Sequence, residues 1–141
     1  MRGIYIISLD MHDESSGVVK KVNNQIKCMR NHGIDVKLMD GSMVKNNRLL
    51  NKIFILLPRI PNKYSIMNRI YKKVVTEVNL KDIDFIYIRK GLIDLEQIRL
   101  ISKVKEENPK IIILMEVPTF PYDQEYSGIK RLTVLNKDRI A

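Results

Sequence analysis

Four short runs rich in apolar residues recur along the chain, and each has the length and flanks of a buried β-strand. They cover residues 3–9, 34–39, 85–88 and 110–115. The first, third and fourth are apolar almost without interruption rather than alternating, which is typical of strands covered on both faces of a parallel sheet. The pattern therefore predicts four strands, most of them buried.

A fifth apolar run, residues 52–57, is ambiguous. Pro58 stops it, so it fits a short strand at the edge of a sheet. The residues around it also fit one face of an amphipathic helix that ends before Pro58. The side chains on that helical face would be Leu49, Leu50, Ile53, Phe54 and Leu57.

Between the strands, apolar residues recur at helical spacing in residues 18–32, 63–78 and 94–107. Ser15 or Ser16 is expected to cap the first helix and Asp94 the third, and Gly33 is expected to end the first. Residues 127–141 are expected to begin as a further helix. The side chains predicted to face the core are Val18, Val22, Ile26, Met29, Ile66, Ile70, Val74, Val78, Leu95, Ile98, Ile101 and Val104.

This order of elements predicts one α/β domain over residues 1–141, with an open, mostly parallel, Rossmann-like sheet and helices on both faces. With residues 52–57 counted as the third strand, the expected strand order is 3-2-1-4-5. Ligands of such sheets bind beyond the carboxyl ends of the strands, where the order reverses. We therefore expect three polar connections to meet there: residues 10–17, 89–90 and 116–126.

The connection after the last strand, EVPTFPYDQEY, carries many polar groups. Two prolines stiffen it, since each fixes φ and biases the preceding residue toward extended backbone. It predicts either the rim of a cleft that binds hydroxyl groups or a rigid connection with solvated acids. Its candidate binding residues are Glu116, Thr119, Tyr122, Asp123 and Glu125.

Two further places could bind an anion. Arg89 has a planar guanidinium suited to carboxylate or phosphate, although it could simply pair with Glu116. The first loop has one glycine rather than G-x-G-x-x-G, which disfavours a standard dinucleotide site. The amides behind Ser16 and Gly17 could still hold an anion, or the helix start could be an ordinary capped one.

The net charge of +9 points to an anionic partner. Residues 41–75 hold eight basic residues and no acid, which fits a non-catalytic module that binds an anionic membrane or nucleic acid, or else a solvated basic face. Few aromatic residues lie among them, so nucleic acid is an unlikely partner. Cys28 is alone, and His12 and His32 form no ligand set with other residues, so we predict no disulfide and no metal. The first apolar run is too short for a signal peptide or a membrane span, which suggests a cytoplasmic protein.

The residues also resemble a family. The opening GIYIISLDMHDESSGVVKKVNNQIKCMRNHGIDVKLMD, with its SGVxKKVxxQ segment, is similar to the start of family 4 glycosyltransferases of the GT-B fold. FIYIRKG and EVPTFPYDQEY resemble a subgroup with YIR at one strand end and an E-x-P-T-x-P-Y-D-x-E segment after the next. The resemblance covers nearly the whole chain, but only the amino-terminal half of such an enzyme.

The resemblance implies transfer of a sugar from a nucleotide-sugar co-substrate to a saccharide or lipid-linked acceptor, usually in cell-surface polysaccharide synthesis, without an essential metal or further cofactor. Ser16 and Gly17 would approach the donor phosphates, and Arg89 and Glu116 would face the cleft as the catalytic candidates. The acceptor side would be formed by Thr119, Tyr122, Asp123 and Glu125. The family's donor-binding domain does not appear in these 141 residues, so we expect no transfer by this chain alone. The family also implies a peripheral position at the inner face of the cell membrane.

Overall fold

The computed structural model describes residues 1–12, 15–44, 65–90 and 93–118. In these ranges the chain forms four strands, three α-helices and two short 3-10 turns. The strands are β1 (Arg2–Ile7), β2 (Asp35–Met39), β3 (Phe85–Arg89) and β4 (Ile112–Glu116), and the helices are α1 (Gly17–Asn31), α2 (Ile66–Glu77) and α3 (Leu95–Glu107). The 3-10 turns are Gly41–Met43 and Leu80–Asp82.

The four strands form one parallel sheet in the order β2-β1-β3-β4. This confirms the predicted α/β class and the predicted order of the four runs. The apolar run of β1 explains its central place, since its last five residues are buried and it pairs with a strand on each side. The fifth run, residues 52–57, lies outside the described residues, as does the predicted helix at 127–141.

Side chains alternate between the two faces of the sheet, and helices cover both. On one face, which we call the α1 face, Tyr5 and Ile7 pack with Val22 and Ile26 of α1. On the opposite face, α2 and α3 cover a larger core. That core contains Ile4, Ile6, Ile70, Val74, Ile86, Ile88, Leu100, Val104 and Ile111. Ile112 and Leu114 of β4 belong to the α1 face but are 50% and 43% exposed.

The two ends of helix α1 lie where the sequence predicts them. Its buried face, however, starts one residue later than predicted, at Val19 instead of Val18. Gly33 has φ 75°, and the N–H groups of Gly33 and Ile34 donate to the carbonyls of Arg30 and Met29, which is a Schellman end. Val19 is buried, whereas Val18, predicted to face inward, is 38% exposed. The spacings between Val19, Val22 and Ile26 are three and four residues, which matches the 3.6-residue period of an α-helix. The predicted stripe used four-residue steps, which drift around the helix.

Helix α2 buries the predicted Ile70 and Val74, whereas the predicted Ile66 and Val78 are only partly buried. Helix α3 is rotated from the prediction. Its buried side chains are Gln97, Leu100 and Val104, and the predicted Leu95, Ile98 and Ile101 are only half-buried. The side-chain amide of Gln97 donates to the Met115 sulfur at 3.3 Å. An apolar pattern does not count a buried glutamine, which is why the prediction was wrong about this face. The Asp94 carboxylate accepts from the Gln97 amide at 3.0 Å, which confirms the predicted cap.

A close backbone contact fixes the carboxyl ends of β1 and β2. The Gly41 N–H donates to the Leu9 carbonyl at 2.8 Å. A Cβ atom at Gly41 would lie 2.4 Å from the Ser8 carbonyl oxygen, so a larger residue does not fit. Among the described helices, none has the length and apolar composition to cross a bilayer.

Candidate functional site

The site lies at the carboxyl ends of three neighbouring strands. Ile7, Arg89 and Glu116 are register partners across β1, β3 and β4. Register partners in a parallel sheet point to the same face, which here is the α1 face. Helix α1 reaches the same place, because the Lys21 ammonium lies 3.2 Å from the Glu116 carboxylate. The structure therefore brings Arg89 and Glu116 together with Lys21 in the second turn of α1, whereas the predicted contact of Ser16 and Gly17 with this group stays a prediction.

Glu116 is the centre of this group. Its Oε1 atom accepts from the Arg89 guanidinium and from the Lys21 ammonium at 3.2 Å. Its Oε2 atom accepts from the Tyr87 hydroxyl at 3.1 Å, and the Tyr5 hydroxyl lies 3.5 Å away. We call these five residues the edge cluster: Tyr5, Lys21, Tyr87, Arg89 and Glu116.

The edge cluster keeps Glu116 ionised. Burial by itself would raise the pKa of Glu116, but hydrogen bonds from Arg89, Lys21 and Tyr87 outweigh burial and hold that pKa below its ordinary value. Burial would lower the pKa of Arg89, and the hydrogen bond and charge of Glu116 outweigh it and raise that pKa. The pair is therefore a fixed ion pair at neutral pH. A carboxylate whose pKa is held below its ordinary value is a poor general base near neutral pH.

This pairing decides between the two interpretations of Arg89. The sequence left open whether Arg89 faces a ligand as a free cation or pairs with Glu116. The structure pairs them, and the Arg89 side chain is only 7% exposed. Arg89 therefore presents little unpaired charge to a ligand, and Lys21 is the more accessible cation, with 57% of its side chain exposed.

Two tyrosines form the floor of the edge cluster. The rings of Tyr5 and Tyr87 stack with centroids 4.7 Å apart and planes at 18°. The Tyr5 hydroxyl donates to Gln25 Oε1 at 3.0 Å. Burial, followed by the charge of Glu116, raises the pKa of Tyr5. Burial, followed by hydrogen bonding to Glu116, raises the pKa of Tyr87. Both hydroxyls therefore stay protonated at neutral pH.

The first turn of α1 is open. Ser16 occupies the N-cap position, but its side chain makes no capping hydrogen bond, unlike the cap that the sequence suggested. A Cβ atom placed on Gly17 would meet no heavy atom within 4 Å. Packing of the described residues therefore does not require a glycine at this position. Backbone N–H groups at such a helix start attract anions.

Lys90, predicted to line the same crevice as Arg89, points the other way. Alternation along the chain carries it to the opposite face of the sheet. There its ammonium lies 2.5 Å from the Asp94 carboxylate and 5.9 Å from the centre of the Tyr71 ring. The prediction grouped Lys90 with Arg89 because it considered loops and not side-chain alternation.

Three cluster members, Tyr5, Lys21 and Tyr87, and the neighbouring Gln25 escaped the sequence reasoning. Lys21 and Gln25 lie four residues apart, so they share one face of α1. This spacing within the SGVxKKVxxQ segment was a usable signal. Tyr5 and Tyr87 were assigned to buried strands, and nothing in the apolar runs indicated that their hydroxyls would meet Glu116.

The predicted acceptor residues Thr119, Tyr122, Asp123 and Glu125 lie outside the described residues. Within the described ranges, no group of three or more His, Cys, Asp or Glu side chains could hold a metal ion. His12 lies against Asp10 at 3.0 Å.

A groove of about 190 Å³ runs between α2 and α3, on the face opposite the edge cluster.

No protein-family model matches the sequence, and neither a curated protein nor a solved structure matches it significantly. The class that the fold defines is a Rossmann-like α/β domain with helices on both faces of an open parallel sheet. Its candidate site is the edge cluster together with the open first turn of α1.

Proposed function

We propose that this chain is the amino-terminal, acceptor-side domain of a GT-B-type glycosyltransferase. The enzyme would move a sugar from a nucleotide-sugar donor to a saccharide or lipid-linked acceptor at the inner face of the cell membrane. The observation that supports the proposal is the ion pair between Lys21, one turn after Gly17 in α1, and Glu116 of the edge cluster, at the carboxyl edge of the sheet. This is where ligands of open α/β sheets bind.

The chemistry of the cluster suits binding and orientation. Two cations share one carboxylate, so one positive charge remains beside the open turn of α1. A residual positive charge near the amino terminus of a helix favours a phosphate group. Glu116, held ionised by its donors, would position Arg89 and Lys21 rather than remove a proton from an acceptor hydroxyl.

The donor-binding domain would come from outside these 141 residues, since sugar transfer in this class takes place between two domains. A transfer assay with labelled nucleotide sugars tests this. The 141-residue chain alone should give no transfer. A fusion to the donor-binding domain of a GT-B transferase should give transfer that Arg89→Ala reduces by at least tenfold, because the cleft loses its fixed cation. Transfer by the chain alone, or a fusion indifferent to Arg89→Ala, would contradict the proposal.

A second candidate is a non-catalytic module that binds an anionic membrane surface. The groove between α2 and α3 favours it, because apolar Val75 and Leu100 line it beside the basic Lys72. Arg99 also lines the groove and pairs there with Glu96 at 3.2 Å. Much of the basic 41–75 segment lies outside the described residues. Flotation with neutral and with anionic liposomes tests the module. Binding to anionic liposomes that Lys72→Glu abolishes would support this candidate function. Equal amounts of protein floating with neutral and with anionic liposomes would contradict it.

A further inference from the structure

The two faces of the sheet are covered unequally. Helices α2 and α3 lie side by side on one face, whereas α1 is the only described helix on the α1 face. Helix α1 packs over the central strand β1 and its two neighbours, through contacts with Tyr5, Val36 and Phe85. Two apolar side chains of β4 on this face stay open, since Ile112 is 50% exposed and Leu114 is 43% exposed. We call these two residues the β4 strip.

The spacing of the strands fits a second helix over the β4 strip. Neighbouring strands lie about 4.8 Å apart, so β4, two strands from β1, lies about 10 Å to one side of the strand under α1. The axes of packed helices lie about 8–10 Å apart. A helix placed against α1 would therefore centre on the β4 strip. A flat bilayer would meet α1 first, because a helix about 10 Å in diameter stands between it and the strip.

The charges around the strip define the chemistry of such a helix. Lys21 lies at the carboxyl end of β4 with 57% of its side chain exposed, and Lys110, also exposed, precedes the amino end. Helix α1 itself has four basic residues and no acidic one. An apolar strip with basic surroundings is complementary to a helix that has an apolar face and acidic flanks.

The chain itself holds no segment of that charge for this place. Residues 45–64 have five basic residues and no acidic one, and residues 127–141 have four basic residues and one acidic. A second copy would bring its own basic α1. Each of these would place like charges beside α1, which opposes association.

We propose that the β4 strip is a docking surface for an acidic amphipathic helix of a partner protein. The apolar face of that helix packs on Ile112, Leu114 and the half-buried ring of Tyr87, which is the register partner of Leu114. Its acidic residues face Lys21 and Lys110. The five residues of β4 span about 17 Å, which corresponds to about three turns of helix. The surface does not depend on the transferase proposal, so either idea can fail alone.

Calorimetric titration of the 141-residue chain with a designed helical peptide tests the charge argument. The peptide carries leucines along one face and glutamates on both flanks, and a matched peptide carries lysines in place of the glutamates. The acidic peptide should bind at least about tenfold more tightly than the basic one, since close charge pairs form only with the first. Equal binding of the two peptides would overturn the proposal, as would no binding of the acidic peptide at millimolar concentration.

Substitutions in the chain test the location. Leu114→Asp should weaken binding of the acidic peptide about tenfold, because it replaces an apolar contact with a charge that must be desolvated. Met43→Asp is the matched control, since Met43 is 41% exposed and follows β2 at the far edge of the sheet. Lys110→Glu should weaken binding about threefold, and Lys37→Glu in β2 should not. A control that loses as much affinity as its partner variant would overturn the location.

An NMR titration of the unaltered chain covers the case in which Leu114→Asp does not fold. The methyl signals of Ile112 and Leu114 should shift when the acidic peptide is added, while that of Met43 stays in place. Static signals from the β4 strip would overturn the proposal.

Three further measurements identify another occupant of the strip. Nuclear Overhauser contacts of Leu114 with residues 45–64 or 127–141 in the free chain would show that the chain covers its own strip. A dimer in analytical ultracentrifugation that Leu114→Asp dissociates would assign the strip to a second copy. Flotation with anionic liposomes that Leu114→Asp abolishes would assign it to a membrane. Any of these results would overturn the partner helix, whereas a monomer without such contacts or flotation supports it.

Discussion

Glu116 shows how one residue's surroundings decide its role. It ends a strand on the rim of the sheet, where an acid invites assignment as a catalytic base. Its carboxylate instead accepts from Arg89, Lys21 and Tyr87. These donors lower its pKa in spite of burial. Glu116 therefore binds and positions the two cations Arg89 and Lys21.

Glu116→Gln should destabilise the chain by about 2 kcal/mol, because it leaves the mostly buried Arg89 guanidinium without its carboxylate. Urea unfolding at pH 7, followed by circular dichroism, measures the change. Glu106→Gln is the control, since its side chain is 72% exposed and its contact with Lys103 lies at the surface. The double variant Arg89→Met/Glu116→Leu should lose less stability than Glu116→Gln. A larger loss in the double variant would contradict this account of the pair.

The lowered pKa of Glu116 predicts a stability contribution that depends on pH. The folded-state pKa lies below the ordinary value of 4.5, so the unfolded chain binds the proton more readily. The contribution is complete above that value and is lost as the pH falls through the folded-state pKa. The stability difference between the wild type and Glu116→Gln should therefore be constant near neutral pH and shrink under acid conditions. A difference that stayed constant down to about pH 3, well below the ordinary carboxyl pKa, would contradict it.

At the scale of the elements, α1 packs on the sheet with one face and carries the half-exposed Lys21 of the edge cluster. Its buried stripe packs on Tyr5 and Phe85, and Lys21 ties its second turn to β4. Two glycines near the carboxyl edge have opposite surroundings. A Cβ atom at Gly41 would lie against the carbonyl of Ser8, whereas no described atom lies within 4 Å of a Cβ placed on Gly17. Packing of the described residues therefore requires a glycine at position 41 and not at position 17.

Alanine substitutions separate these two glycines. Gly41→Ala should lower the melting temperature by about 5–10 °C, because its Cβ would collide with backbone atoms that cannot move aside. Gly17→Ala should leave the melting temperature unchanged or raise it slightly, since alanine favours helix. Differential scanning calorimetry measures both.

The same pair of variants tests the site. Gly17→Ala should weaken pyrophosphate binding severalfold although it leaves folding intact, because the added methyl group occupies the space assigned to the phosphate. Pyrophosphate binding that Gly17→Ala leaves unchanged would move the ligand away from the first turn of α1.

At the scale of the whole molecule, the sequence predicted the sheet well. Continuous apolar runs in β1 and β3 specify buried parallel strands, whereas β4, also predicted to be buried, is partly exposed in the described sheet. The observed order follows from helices packed on both faces. The meeting of three strand ends at one edge follows from the same topology, which is why Arg89 and Glu116 were found.

The finer features depended on rotations that a pattern of apolar residues does not specify. Whether Val18 or Val19 faces inward, and whether Gln97 does, changes the apolar score of a helix only slightly. Side-chain alternation, rather than loop position, sends Lys90 to the face opposite Arg89. The hydroxyls of Tyr5 and Tyr87 became relevant only once both rings were placed beside Glu116.

The most direct test of the central claim is a two-dimensional ¹H–¹⁵N NMR titration of the whole chain with a nucleoside diphosphate. If the carboxyl edge on the α1 face is the ligand site, the backbone signals of residues 17–21 and the signals of Arg89 and Glu116 should shift together. Signals of Lys72 and Arg99, on the opposite face, should stay in place. Shifts confined to the α2–α3 groove, or no shifts at millimolar ligand, would contradict the account.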